Sequence, residues 1–153
     1  MLINLWHSLL TGFGMLLRGV MNLDPSLRAP IAISLGAIPG ALCRYYLTLW
    51  FTQSLGNEFP YGTFFINISG ALVMGFFTTY TLSQTLNQTI VPPDVHRLMT
   101  TGFLGAYTTF STYALDTQAL LNRGKPSLAL LYWAGSAIFG VIGCQMGSHI
   151  AKR

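Results

Sequence analysis

Long stretches without charged side chains are the feature that most constrains how this chain folds. Three of them cover residues 59–93, 98–115 and 126–151, and a fourth, residues 29–57, contains a single charge, Arg44. A helix that crosses the hydrocarbon core of a bilayer needs about 20 apolar residues. Charged residues make up 8% of the chain, against about 25% in soluble domains. The sequence therefore predicts an all-α membrane protein with four transmembrane helices, near residues 30–51, 61–81, 98–121 and 127–148.

Residues 1–24 show a different pattern. Apolar side chains such as Trp6, Leu9 and Phe13 recur there at spacings of three and four, with polar side chains elsewhere around the helix. This is typical of an amphipathic helix at a membrane interface. A signal peptide is disfavoured, because no cation precedes the apolar part and no small-residue cleavage site follows it. We therefore divide the chain into an N-terminal amphipathic segment, residues 1–24, and a transmembrane domain, residues 25–153.

The cations and cysteines exclude some function classes. The eight Lys and Arg residues give a net charge of +4, but they are spread over loops and tails and form no patch for nucleic acid. Cys43 and Cys144 fall inside predicted spans and have neither disulfide nor metal-ligand spacing. The cations favour a cytoplasmic N-terminus by five to two, a bias small enough to leave both orientations open.

Three polar residues inside the predicted spans need an explanation. Asn67 lies well inside the second span, where an unpaired amide costs about 1–3 kcal/mol. Its side chain either bonds to a neighbouring helix or donates to a permeating species. Arg44 either reaches the nearer interface or draws anions into a vestibule. Asp116 is expected near the interface, or paired with Arg44 or Arg123.

Residues 101–116, TGFLGAYTTFSTYALD, combine glycines and hydroxyls within the third predicted span. Glycine weakens a helix, and Ser and Thr compete for its backbone hydrogen bonds. For these reasons we favour a break in the helix near Gly105–Thr109. Broken helices at membrane depth occur where they line a wet cavity or are buried in protein. Such a break frees carbonyls that can hold a cation and amides that attract an anion. The alternative is an unbroken helix whose hydroxyls bond to carbonyls one turn earlier.

Aromatic rings and hydroxyls follow on shared helix faces. They are Phe110, Ser111, Thr112 and Tyr113 in the third span, and Tyr132 and Ser136 in the fourth. Positions three or four residues apart lie on one side of a helix. The edges of aromatic rings carry partial positive charge, so with hydroxyl donors they can solvate an anion that has lost its water. The set contains no fixed charge, so it would bind an anion through hydrogen bonds and ring edges alone. Because hydrogen bonds are stronger to an ion of high charge density, the set favours a small, hard anion.

The motifs GAIPGALCRYY, YGTFFINISGALVMG and TGFLGAYTTFSTYALD resemble the Fluc (CrcB) family of fluoride channels. The resemblance covers residues 32–150 and leaves residues 1–24 outside. It implies a four-helix chain with a break in the third helix, paired as an antiparallel, dual-topology homodimer. It also implies passive export of fluoride from the cytoplasm across the plasma (inner) membrane, with the lipid bilayer as the surrounding partner.

The resemblance also implies individual roles. The pore-lining residues would be Asn67, Phe110, Ser111, Thr112, Tyr113, Tyr132 and Ser136. Arg44 would lie in a vestibule, and a structural sodium ion at the dimer interface would be held by the backbone carbonyls of Gly105 and Thr108. Three positions depart from the family pattern, since Ala106 replaces a glycine, Tyr113 a phenylalanine and Asp116 a glutamate.

Other function classes fit the sequence less well than this family. A proton-coupled exporter of the small multidrug resistance type matches in size and helix count. Such exporters depend on a glutamate in the first helix, where this chain has Arg44 and no carboxylate. A non-transporting assembly subunit would use its polar residues for packing only. An enzyme is disfavoured, because the sequence shows no nucleophile–base pair and no cluster of metal ligands.

Overall fold

A computed structural model describes residues 7–8, 11–12, 14–15, 19, 23–86 and 91–153 of the protein. Regular structure in these parts of the chain is entirely helical. The predicted amphipathic helix at residues 1–24 lies mostly outside the described residues.

The elements follow one another in a simple order. They are α1 (Pro25–Leu55), α2 (Tyr61–Leu86), α3 (Pro93–Arg97), a π-helix (Leu98–Leu104), α4 (Gly105–Tyr107), α5 (Phe110–Asn122) and α6 (Pro126–Ala151). The helices α1, α2 and α6 are long and apolar enough to cross a membrane by length and composition. The predicted span 98–121 is not one helix, because it is divided among the π-helix, α4 and α5.

Local sequence explains where α1 begins and ends. Asp24 caps its first turn by accepting a hydrogen bond from the Ser26 amide at 2.9 Å, and Pro25 suits the first helical position. The Ser26 hydroxyl also donates to this carboxylate, and together the two bonds hold the pKa of Asp24 below its ordinary value. The helix ends at Gly56, whose φ of 77° suits glycine.

The loops at one end of the bundle are joined to each other. The Lys125 ammonium pairs with the Glu58 carboxylate, and a guanidinium N–H of Arg123 donates to the Asn57 carbonyl at 2.8 Å. The bond from Lys125 lowers the pKa of Glu58. The α1–α2 loop is thereby held against the turn between α5 and α6.

Glycines set the distances between the long helices. A methyl group added at Gly36 of α1 would meet the Leu98 carbonyl of the π-helix. Likewise, a methyl group at Gly147 of α6 would meet the Leu72 carbonyl of α2. Small residues at these contacts let helix backbones approach closely. The result is that α1 packs on the π-helix and α2 packs along α6.

Candidate functional site

The chain leaves the helical conformation at two residues within the third predicted span. Thr108 has φ −79° and ψ 160°, and Thr109 has φ −151° and ψ 123°, so both are extended. Helix α4 ends just before them and α5 begins just after. The predicted break near Gly105–Thr109 is therefore present in the structure.

The break frees two backbone carbonyls. The Thr109 amide donates to the Asn67 side-chain oxygen at 2.8 Å, and the Thr112 amide donates to the Thr109 hydroxyl oxygen at 3.2 Å. In a continuous helix these amides would bond to the carbonyls of Gly105 and Thr108. Those two carbonyls thus lose their helical donors, and they are the pair that the family resemblance assigns to a cation.

Asn67 joins α2 to the break through both halves of its amide. Its oxygen accepts from the Thr109 amide, and its nitrogen donates to the Thr109 carbonyl at 3.0 Å. Of the two interpretations of Asn67, the hydrogen bond between helices is therefore observed. The residue also lines the groove described below, so a role beside an ion is compatible with this bond.

Arg44 turns toward the break. One of its guanidinium N–H groups donates to the Thr108 carbonyl at 3.3 Å, and the side chain is half-buried. The guanidinium therefore brings a positive charge to a carbonyl that has no helical partner.

A groove of about 640 Å³ lies beside the break. Its walls include Asn67, Thr109, Phe110, Tyr113 and Ser136. The Phe110 side chain is 79% exposed, so the groove is open on that side. The Ser136 residue is only 8% exposed, and its hydroxyl oxygen has no hydrogen-bond partner among the described residues. This hydroxyl therefore has hydrogen-bonding capacity that the described residues do not use.

The Tyr113 hydroxyl has a partner within the chain. It donates to the Trp133 carbonyl at 2.8 Å, which ties α5 to α6. The ring centroid of Tyr113 lies 5.7 Å from that of Phe110 and 5.4 Å from that of Tyr132. Tyr113 therefore presents its ring to the groove, while its hydroxyl is used in packing.

The remaining predicted site residues lie elsewhere around the break. The Ser111 hydroxyl lies 3.3 Å from the Thr109 hydroxyl, which donates to the Thr112 hydroxyl at 3.1 Å. Thr112 lines a second cavity of about 160 Å³ rather than the groove. Tyr132 is fully buried. The structure thus brings these residues around one break, but Ser111 and Tyr132 line neither of the two cavities.

Asp116 lies in the second cavity with partners that the sequence did not predict. Its carboxylate accepts from the Thr63 hydroxyl at 2.7 Å and from the Tyr132 hydroxyl at 3.4 Å. Of the two alternatives predicted for Asp116, the pairing with Arg44 or Arg123 is not observed, because both guanidinium groups donate to backbone carbonyls. The missed residue is Thr63, which lies four positions before Asn67 and therefore on the same face of α2.

Side-chain metal ligands do not converge in the part of the chain that the structure describes. No group of three His, Cys, Asp or Glu residues there could hold a metal ion. Any cation at the break would depend on backbone carbonyls, which suit hard cations.

These features define a class of protein before any comparison. Long apolar helices pack around a helix that is broken at Thr108 and Thr109, and the break borders a groove with neutral hydrogen-bond donors. That arrangement is typical of membrane channels and transporters.

Comparison with known proteins agrees with assignment to this class. Residues 31–148 match the family model described as CrcB-like protein, Camphor Resistance (CrcB). A relative from Trichormus variabilis is 57% identical over 129 residues, which cover 84% of this chain and 92% of the relative. Relatives from Synechocystis and Synechococcus are 48% and 46% identical, and each match covers 84% of this chain and at least 95% of the relative. All three are named fluoride-specific ion channel FluC. The chain belongs to the CrcB family, which confirms the resemblance identified from its motifs.

Proposed function

We propose that this protein is a passive, fluoride-selective channel that exports fluoride from the cytoplasm. Its family is one of ion channels, so the protein is a transport protein rather than an enzyme. The single observation that carries the proposal is the Ser136 hydroxyl, which is buried in the groove wall and has no partner among the described residues. A small anion without water needs donors of this kind.

The residues around the groove would replace the hydration of the ion in different ways. Ser136 offers a neutral hydroxyl donor, and the exposed Phe110 offers the positive edge of its ring. Helix α5 begins at the groove, and the amides at its first turn favour negative charge. Hydrogen bonds from neutral donors are stronger to an ion of higher charge density, which supports selection of fluoride over the larger chloride.

Arg44 would act before the ion enters the narrow part of the pathway. Its guanidinium brings a fixed positive charge to the Thr108 carbonyl. A positive charge at the entrance of a low-dielectric pathway raises the local concentration of anions. In this proposal Arg44 attracts the anion, and the neutral donors deeper in the groove select it.

The open groove supports the proposal that two chains assemble. With Phe110 79% exposed, one chain supplies only part of a wall around an ion. A second copy in the opposite orientation would enclose the groove and form an antiparallel homodimer. In this arrangement the π-helix, α4 and α5 together form the third of four membrane crossings, and the dimer lies in the plasma membrane.

The same assembly would hold a structural sodium ion. The Gly105 carbonyl fits this role, because the amide that would bond to it in a helix donates to Asn67. The Thr108 carbonyl also loses its helical donor, and since it accepts from Arg44 it would bind the ion through its second lone pair. Backbone carbonyls are ligands that hard cations accept. The ion would supply positive charge where carbonyl dipoles converge, and thereby stabilise the interface between the two copies.

Growth of a fluoride-hypersensitive cell tests the proposed function. We expect expression of the chain to restore growth in fluoride medium, and Ser136→Ala to weaken the rescue. Ser148→Ala is the matched control, because Ser148 lies on the same helix and donates to the Gly75 carbonyl. Failure of the unchanged chain to rescue, with protein present in the membrane, would contradict the proposal.

A further inference from the structure

Three consecutive residues at the break, Tyr107, Thr108 and Thr109, each contact a residue of α2. The Tyr107 hydroxyl lies 2.9 Å from the Ser69 hydroxyl, and the Thr109 backbone bonds to Asn67. Gly70 provides the surface against which Thr108 lies. One short stretch of α2 therefore contacts the last helical residue before the break and both extended residues.

The contact at Gly70 requires a residue without a side chain. A methyl group at Gly70 would overlap the Thr108 methyl and would lie 3.2 Å from the Tyr107 ring. Both obstacles are side-chain atoms, of Thr108 and Tyr107, so a larger residue at position 70 has to shift at least one of these two side chains. Gly70 thus fixes how closely α2 approaches the break.

The contact between Ser69 and Tyr107 holds the end of α4. Tyr107 is buried, and its ring stacks on Phe103 with an interplanar angle of 9°. The Ser69 hydroxyl is also within hydrogen-bond distance of the Ile66 carbonyl, at 3.2 Å. The Tyr107 side chain is therefore held at both ends, at its ring by Phe103 and at its hydroxyl by Ser69. The Ser69 hydroxyl is in turn held by the backbone of α2.

We propose that Ser69 and Tyr107 are positioning residues that fix the conformation of the break for ion conduction. The inference rests on the proposed function, but neither side chain lines the groove. Thr108 keeps the helical hydrogen bond from its amide to the Leu104 carbonyl. Both backbone polar groups of Thr109 instead bond to the side chain of Asn67, so the position of Thr109 depends on a side chain from α2. Loss of the Ser69–Tyr107 contact releases the end of α4, and the freed carbonyls and the first turn of α5 lose their fixed relation to the groove.

Two measurements on Tyr107→Phe, Ser69→Ala and the double variant test this. The first is hydrogen exchange of the segment 105–112 in nanodiscs, which does not depend on transport. The second is fluoride and chloride efflux from liposomes, per amount of folded protein. Tyr80→Phe and Ser83→Ala are matched controls, because Tyr80 stacks on Phe76 and Ser83 donates to the Thr79 carbonyl within α2.

We expect each single variant to accelerate exchange by about fivefold, the factor that corresponds to a hydrogen bond of about 1 kcal/mol. The fluoride-to-chloride flux ratio should fall as well, and the double variant should add little to either single one, because all three remove the same contact. Unchanged exchange would overturn the proposal, and so would faster exchange with an unchanged flux ratio. If the unchanged chain conducts no fluoride, the proposed function fails, while the exchange data still decide whether this contact holds the break.

Discussion

Asn67→Asp separates the two roles that Asn67 has in this account. Asn67 pairs with both backbone polar groups of Thr109, a residue that is buried. An ionised aspartate keeps the oxygen that accepts from the Thr109 amide, but it cannot donate to the Thr109 carbonyl. The substitution therefore removes one hydrogen bond and adds one negative charge beside the groove.

The two consequences differ in size. An unpaired buried carbonyl costs about 1–3 kcal/mol of stability. A negative charge at about 4 Å from an anion costs about 4 kcal/mol at an effective dielectric constant of about 20, or about a thousandfold in ion occupancy. We therefore expect Asn67→Asp to remain foldable in the membrane at neutral pH and to lose nearly all fluoride flux.

Liposome efflux followed with a fluoride electrode across a pH series provides the assay. A neutral carboxyl can donate to Thr109 and repels no anion, so flux through Asn67→Asp should recover as the pH falls. Asn67→Ala has no titratable group at this position and should show no such recovery, and protein-free liposomes correct for leak of the protonated species. Equal, pH-independent flux through both variants would refute the reasoning.

Three further predictions concern separate features. Phe110→Ile should lower fluoride flux by about tenfold with little change in stability, as measured by efflux and thermal melts, because an exposed ring edge is lost. Gly36→Ala should reduce the yield of folded protein on size-exclusion chromatography, whereas Gly140→Ala, with open space around it, should not. Lys125 holds the pKa of Glu58 below its ordinary 4.5, so the pair stabilises the loops above that pH and its contribution is lost as pH falls through the lowered pKa. Thermal melts should therefore show a smaller acid-induced loss of stability for Glu58→Gln than for the unchanged chain.

The sequence predicted the features that depend on local composition. Uncharged stretches locate the long helices, because a bilayer sets both their length and their polarity. The break falls at Thr108 and Thr109, where glycine and hydroxyl residues weaken the helix, as predicted.

The partners of individual side chains were not predictable in the same way. Asp116 bonds to Thr63 and Tyr132, and Tyr107 contacts Ser69, all across different helices. A helical face can be assigned from spacing, but the rotation of one face toward another depends on packing of the whole bundle. The π-helix was also missed, because its wider turn has no residue-type signal of the kind that marks the break.

Fluoride efflux from liposomes that contain the purified protein, measured beside chloride efflux, tests the central claim most directly. Neutral donors around a broken helix should let fluoride leave far faster than from empty liposomes, while chloride stays inside. Equal efflux rates for fluoride and chloride, or fluoride efflux no faster than from empty liposomes, would contradict this claim.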